Sequence, residues 1–303
     1  EGTYLGQETP GMSPEIFAPD FISKQLNERD AAFTPDGKEF YFSITQIPHF
    51  VIAFSKFENN RWSEPEVVSF SGRYSDIEPF ITKDGKRMYF ASNRPNDGVG
   101  EPNSNYDIWY ADRIENRWGE PVPVGKPVNT EHDEFYPTLA DDGTLYFCAT
   151  YKGGYGAEDI YRAEPNKDGG FDLPVNLGDS INTPSYEYNA MIAPDESFLV
   201  YTTHGRGRGF GRGDLWVSFQ NDDGTWTKPI NLGADINSEG MDYSPSLSPD
   251  GKYLFFASNR SNRKKYSDTR IKYADILDGF NRYGNNFDDI YWVNSEVIFN
   301  VKN

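Results

Sequence analysis

Residues 248–260 read SPDGKYLFFASNR, and residues 82–94 read TKDGKRMYFASNR. A chain that spells nearly the same hairpin twice is built of repeats, and a period of about 40–60 residues is that of a propeller or an array. Three more copies are present: FTPDGKEFYFS around Asp36, LADDGTLYFCA around Asp142 and IAPDESFLVYTT around Asp195. Counted along these turn residues with Asp84 and Asp250, the steps are 48, 58, 53 and 55 residues. Four of the five turns are Asp-Gly between alternating apolar runs. That is the signal for a tight hairpin whose type I′ turn takes positive φ at both central positions.

Each hairpin supplies strands A and B of a larger unit. Strand C recurs as DIWYAD from Asp107, DIYRAE from Asp159, DLWVSF from Asp214 and DIYWVN from Asp289, with VIAFSK as a degenerate copy in the first repeat. Strand D recurs as RWSEPEVVSF, RWGEPVPVG, GFDLPVNLG and TWTKPINLG. Proline inside it marks a sheet edge, and four strands ending at an edge make one propeller blade. The fifth repeat ends at YWVNSEVIFNVKN without a strand D, whereas SPEIFAPDFIS at residues 13–23 carries that pattern, with Pro14 at the proline position. The expected fold is therefore all-β: a single five-bladed β-propeller of four-stranded antiparallel blades. The N-terminal strand completes the last blade and removes the free sheet edges. After an extension over 1–12, the expected blades are 24–72, 73–127, 128–180, 181–240, and 241–303 together with 13–23.

Composition agrees and narrows the partners. Aromatic residues make up 16% of the 303, enough for a large core, and the absence of any 3.6-period amphipathic stretch of 15 residues predicts that helix is scarce. A net charge of −18 argues against nucleic acid and anionic membrane as partners. Cys148, the single cysteine, lies inside LYFCAT and reads as a buried hydrophobe. No membrane-spanning run or signal peptide is present, and the opening EGTYLGQETPG reads as a mature or trimmed terminus.

The phrase S-P-D-G-K-x-L-x-F-x-S-N-R followed by D-I-Y/W resembles the WD40-like β-propeller repeat of the TolB family, over residues 13–299. The resemblance implies a periplasmic, secreted or cell-surface bacterial protein that serves as a binding or assembly scaffold, and it implies no reaction. TolB adds an N-terminal domain and more blades, so its partners do not carry over.

Propeller geometry puts the D–A and B–C loops on one face and the short A–B turns on the other. Irregular loops on a rigid scaffold carry function, so the first face is the candidate. Eight residues ahead of each turn acid stand Glu28, Asp76, Glu134, Glu187 and Asp242, expected as a ring of carboxylates at one channel mouth. Two positions further on stand Asp30, Glu78, Tyr136, Asn189 and Ser244. Three readings compete for the ring. It is scaffold, bonded to backbone N–H groups or to Arg94 and Arg260. It is a calcium site formed by all five carboxylates. Or it is the centre of a glycoside hydrolase or polysaccharide lyase using Glu28, Asp30, Asp76 and Glu78.

Symmetry is broken by the B–C loops. NRPNDGVGEPNSNY, YKGGYGAE and HGRGRGFGRG belong to blades two, three and four, and a basic, aromatic insertion fills residues 261–288 of blade five. Glu134, Glu187, Asp242, His204, Arg206, Arg208, Arg212, Tyr266 and Tyr273 are the ligand-binding candidates, with arginine suited to clamping a carboxylate. The functional expectation is a scaffold for a protein partner, a carbohydrate or an anionic small ligand, with a carbohydrate-active enzyme as the alternative. His49, His132 and His204 map to the same face without zinc-ligand spacing.

Overall fold

The computed structural model describes residues 4–46, 48–261 and 270–301. Five antiparallel sheets stand in a ring, one for each repeat, as a five-bladed β-propeller. Blade one runs from the inner strand Glu28–Phe33 through Glu39–Ile44 and Val51–Glu58 to short outer pieces at Arg61–Trp62 and Glu66–Val67. Blade two repeats this with Asp76–Ile81, Arg87–Ser92 and Asp107–Ile114; blade three with Glu134–Leu139, Leu145–Ala149 and Asp159–Ala163. Blade four has Tyr186–Ile192, Phe198–His204 and Asp214–Phe219.

Blade five is assembled from both ends of the chain. Asp242–Leu247, Tyr253–Ser258 and Asp289–Asn294 are completed by Glu15–Ile16, with Glu15 opposite Trp292 and Ile16 opposite Tyr291. The strand delivers Phe17 between blades five and one, where it is fully buried and its ring meets Phe33, Phe40, Phe255 and Trp292 at 5.0–6.1 Å. Burying one such side chain stabilises by about 1.5–3 kcal/mol. The same logic repeats around the ring: Val200, Leu215 and Val217 of blade four pack on Leu254, Phe256 and Tyr291 of blade five.

The A–B hairpins are not type I′. Only the glycine of each Asp-Gly pair has positive φ, with Gly37 at 67°, Gly85 at 69°, Gly143 at 93° and Gly251 at 70°. Gly37 donates its N–H to Thr34 O at 2.8 Å, and the Thr34 and Glu39 backbones close the strands beyond it, so the turn is the longer form that ends on a left-handed glycine. The aspartate instead accepts locally: Asp36 Oδ1 takes bonds from Thr34 Oγ1 and Lys38 N.

Asparagines tie the face loops to the blades. Asn129, Asn182 and Asn237 each bond both the N–H and the C=O of one strand-C residue, Ile108, Ile160 and Leu215, at 2.8–3.0 Å. Helix is scarce, as expected. One helix, α1 (Tyr273–Phe280), nevertheless stands in the insertion, where the sequence reading placed only a loop; a second, α2 (Val297–Asn300), follows the last strand.

Candidate functional site

The five ring carboxylates are buried in their own blades and do not converge on the axis. Asp76 Oδ1 accepts from Ser92 Oγ and from Arg94 Nη2, both at 2.6 Å, and Asp242 repeats this with Ser258 and Arg260 while also holding Ser238. Glu134 takes Thr130 and Glu187 takes Thr183, each through backbone N–H and hydroxyl together. Glu28 is 2% exposed. Burial pushes Glu28 and Glu134 up to about 8, and their hydrogen bonds recover only part of that shift. Among the described residues no three His, Cys, Asp or Glu side chains gather as a metal-holding group. Glu28, Asp76, Glu134, Glu187 and Asp242, the five carboxylates expected as a calcium site, are thus not gathered into such a group; Asp76, Glu134, Glu187 and Asp242 bond side chains and backbone of their own blades.

The second column is what meets on the axis. Each inner strand carries a bulge that shifts its register, and at that point Asp30, Glu78, Tyr136, Asn189 and Ser244 all take left-handed backbone, with φ of 47–62°. Arg29 reaches into the middle of them. It donates from Nε to Asp30 at 2.8 Å and from Nη2 to Glu78 at 2.8 Å and Ser244 at 3.1 Å, with its guanidinium 4.6 Å from the centre of the Tyr243 ring. Glu78 also accepts from Tyr136 N at 2.7 Å and Asn189 Nδ2 at 3.1 Å. One network thus joins all five blades. Burial pushes Glu78 up to about 7, opposed by Arg29 and assisted by Asp30.

Glu158 and Asp288 continue this cluster toward the loop-rich face. Burial, with Glu78 and Asp133 nearby, pushes Glu158 up to about 8, and Tyr243 donates to Asp288 at 2.7 Å. Neither residue belongs to the expected ring, and Arg29 was not foreseen either. Each carboxylate immediately precedes a recognisable strand-C aspartate, Asp159 and Asp289, which is the signal that could have found them.

The glycine-rich loop is scaffold for most of its length. Phe210 N and Gly211 N donate to Asp214 at 2.8 and 3.0 Å, and Tyr155 N and Gly156 N do the same for Asp159 in blade three. Arg206 is spent on Ile181 O, Ser180 O and Tyr201 Oη, and His204 Nδ1 on Arg212 O. Arg208 and Arg212 are exposed. The aromatic tips Tyr155 and Phe210 are 49% and 47% exposed, and Tyr186 beside them 47%. Tyr266 lies in 262–269, outside the described residues. Tyr273 opens α1 and is 75% exposed.

These features define a class: a five-bladed propeller of TolB-like fold whose channel is closed midway by a polar network. The chain is similar to TolB from Acinetobacter baumannii (14% identity, TM-score 0.50), matching over 88% of this chain but 54% of that one. A putative TolB from Agrobacterium tumefaciens matches at 14% identity and TM-score 0.52, over 88% and 90% of the two chains. An α-L-arabinofuranosidase from Lactobacillus brevis matches at 14% identity and TM-score 0.53, over 90% and 91%. At these identities the likeness is one of fold. No family model and no curated protein matches the sequence.

Proposed function

We propose that the protein is an extracytoplasmic, TolB-like binding scaffold that takes a protein partner on its loop-rich face. Helix α1 carries this reading. Tyr273, Ile276, Leu277 and Phe280, spaced i, i+3, i+4 and i+7, form one stripe along the helix, and they are 75%, 53%, 46% and 53% exposed. Ile271 just ahead of the helix is 58% exposed. An apolar stripe of this kind facing water is the form in which a helix is offered to a hydrophobic groove on a partner.

The enzymatic alternative asks for two carboxylates flanking a substrate, at least one of them free to move a proton. Asp30 and Glu78 are both engaged by Arg29, and Glu28 and Asp76 are buried in separate blades. The extracytoplasmic placement rests on the TolB likeness, and no helix of the described residues is long and apolar enough to cross a membrane.

The test is affinity capture from an envelope extract of the source organism with wild type and with Ile276→Glu/Leu277→Glu. A defined protein retained by wild type and lost from the variant at unchanged Tm supports the reading. Capture equal for both proteins, or hydrolysis of aryl glycosides that Glu78→Gln abolishes without unfolding, overturns it.

A further inference from the structure

We propose a second, separate binding site at the other end of the channel, for a small molecule with an apolar body and a single anionic end. The sequence placed only short A–B turns on this face. The face instead opens into a cavity of about 970 Å³ to which all five blades contribute. That lies within the range of about 300–1,000 Å³ typical of ligand pockets.

The floor is the axial network itself, reached at Glu78 and Tyr136, so a ligand entering here does not communicate with the loop-rich mouth through open space. The inner walls are mainly apolar, with the charged side chains of the lining gathered at the turns. Pro79, Phe80, Pro137, Leu139, Met191 and Leu247 are among the side chains that line the cavity. The hydroxyls among them are already committed: Ser246 Oγ donates to Ala31 O at 2.6 Å, Thr138 Oγ1 to Ala190 O at 2.9 Å, and Tyr136 Oη to Pro245 O at 2.8 Å. With these protons committed, a ligand body rich in hydrogen-bond acceptors would leave some of them unpaired, at about 1–3 kcal/mol for each buried group; an apolar body would not.

Charge at the rim comes mainly from blade two, whose turn reads TKDGKR at residues 82–87. Arg87 is paired with Asp112, and Arg113 with Glu39, in two-point contacts. Lys83 makes an exposed ion pair with Asp141 of blade three at 2.5 Å, a contact of little energetic weight that a ligand can replace. Lys86 makes no ion pair among the described residues. Two exchangeable ammonium groups beside Asp84 and Asp141 suit one negative charge and disfavour a dianion.

The experiment uses 1-anilinonaphthalene-8-sulfonate and its neutral counterpart N-phenyl-1-naphthylamine, which share one aromatic body and differ by the sulfonate. Fluorescence titration of the full chain is expected to give one site for each probe. Ala32→Trp, which sets a bulky ring in the cavity wall, should weaken both at least tenfold. Lys83→Ala/Lys86→Ala, changed only on the exposed turn, should weaken the sulfonate about 3–10-fold and leave the neutral probe unchanged. Leu277→Glu on helix α1 should change neither. The proposal is overturned by absence of one-site binding, by folded Ala32→Trp binding as wild type, by the lysine variant weakening both probes alike or neither, or by loss of the signal in Leu277→Glu. Should Ala32→Trp fail to fold, Leu247→Trp and the lysine pair decide the matter by the same criteria.

Discussion

Five non-glycine residues in left-handed backbone, at equivalent places in five blades, are the local cost of bringing Asp30, Glu78, Tyr136, Asn189 and Ser244 to the axis. Each such residue costs roughly 1–2 kcal/mol, and the network around Arg29 is what offsets it. Replacing Arg29 by Met leaves two buried carboxyls without their cation. The expected loss is about 3–5 kcal/mol in urea unfolding, largely restored when Glu78→Gln is added. A second residue-scale prediction concerns pH. Glu28 and Glu134 have folded pKa values raised to about 8, above their unfolded values, so the native state binds more protons than the unfolded state in between. Their contribution is fully present below about pH 4.5 and is lost as pH rises toward 8. Glu134→Gln, which keeps an acceptor for Thr130, should flatten the fall in stability between pH 5 and 8; an unchanged slope in pH-resolved unfolding would contradict this assignment.

At the scale of elements, the hairpin was legible and its turn was misread. Asp-Gly between alternating runs does fix a hairpin, but the aspartate's side chain bonds its own loop and leaves the left-handed conformation to glycine alone. Gly251→Ala should therefore cost about 1–2 kcal/mol through the backbone only, since a Cβ there meets nothing within 4 Å. Thermal unfolding measures it, and a neutral effect would mean the turn relaxes. The spacing of Tyr273, Ile276, Leu277 and Phe280 was present in YADILDGF, yet a run this short inside a polar insertion reads as a loop, because a single two-turn helix gives little periodicity to count. The glycine-rich loop shows the opposite case. Its arginines invite an anion, but the backbone donors at Phe210 and Gly211 serve Asp214, and Arg206 holds the carbonyls of its neighbours.

For the molecule as a whole, closure by Glu15–Ile16 is the step on which the ring depends. Removing residues 1–17 exposes the edge of Asp289–Asn294 and empties the site of Phe17. Size-exclusion chromatography should show association of the shortened chain, and Phe17→Ala alone should lose about 3–5 kcal/mol. A truncated protein that stayed monomeric with native Tm would mean that the closure is dispensable. Blade number, strand order and this closure were decided by sequence alone, because each blade is a local pattern of alternation, turn and edge proline that needs no knowledge of its neighbours. Which carboxyls meet was decided only in three dimensions. The bulge in every inner strand turns the second column inward and leaves the first buried within its own blades, so acids that align perfectly in sequence do not gather at one point. The apolar cavity on the turn face has the same origin: its walls come from positions on five separate strands, and only the closed ring makes them one surface.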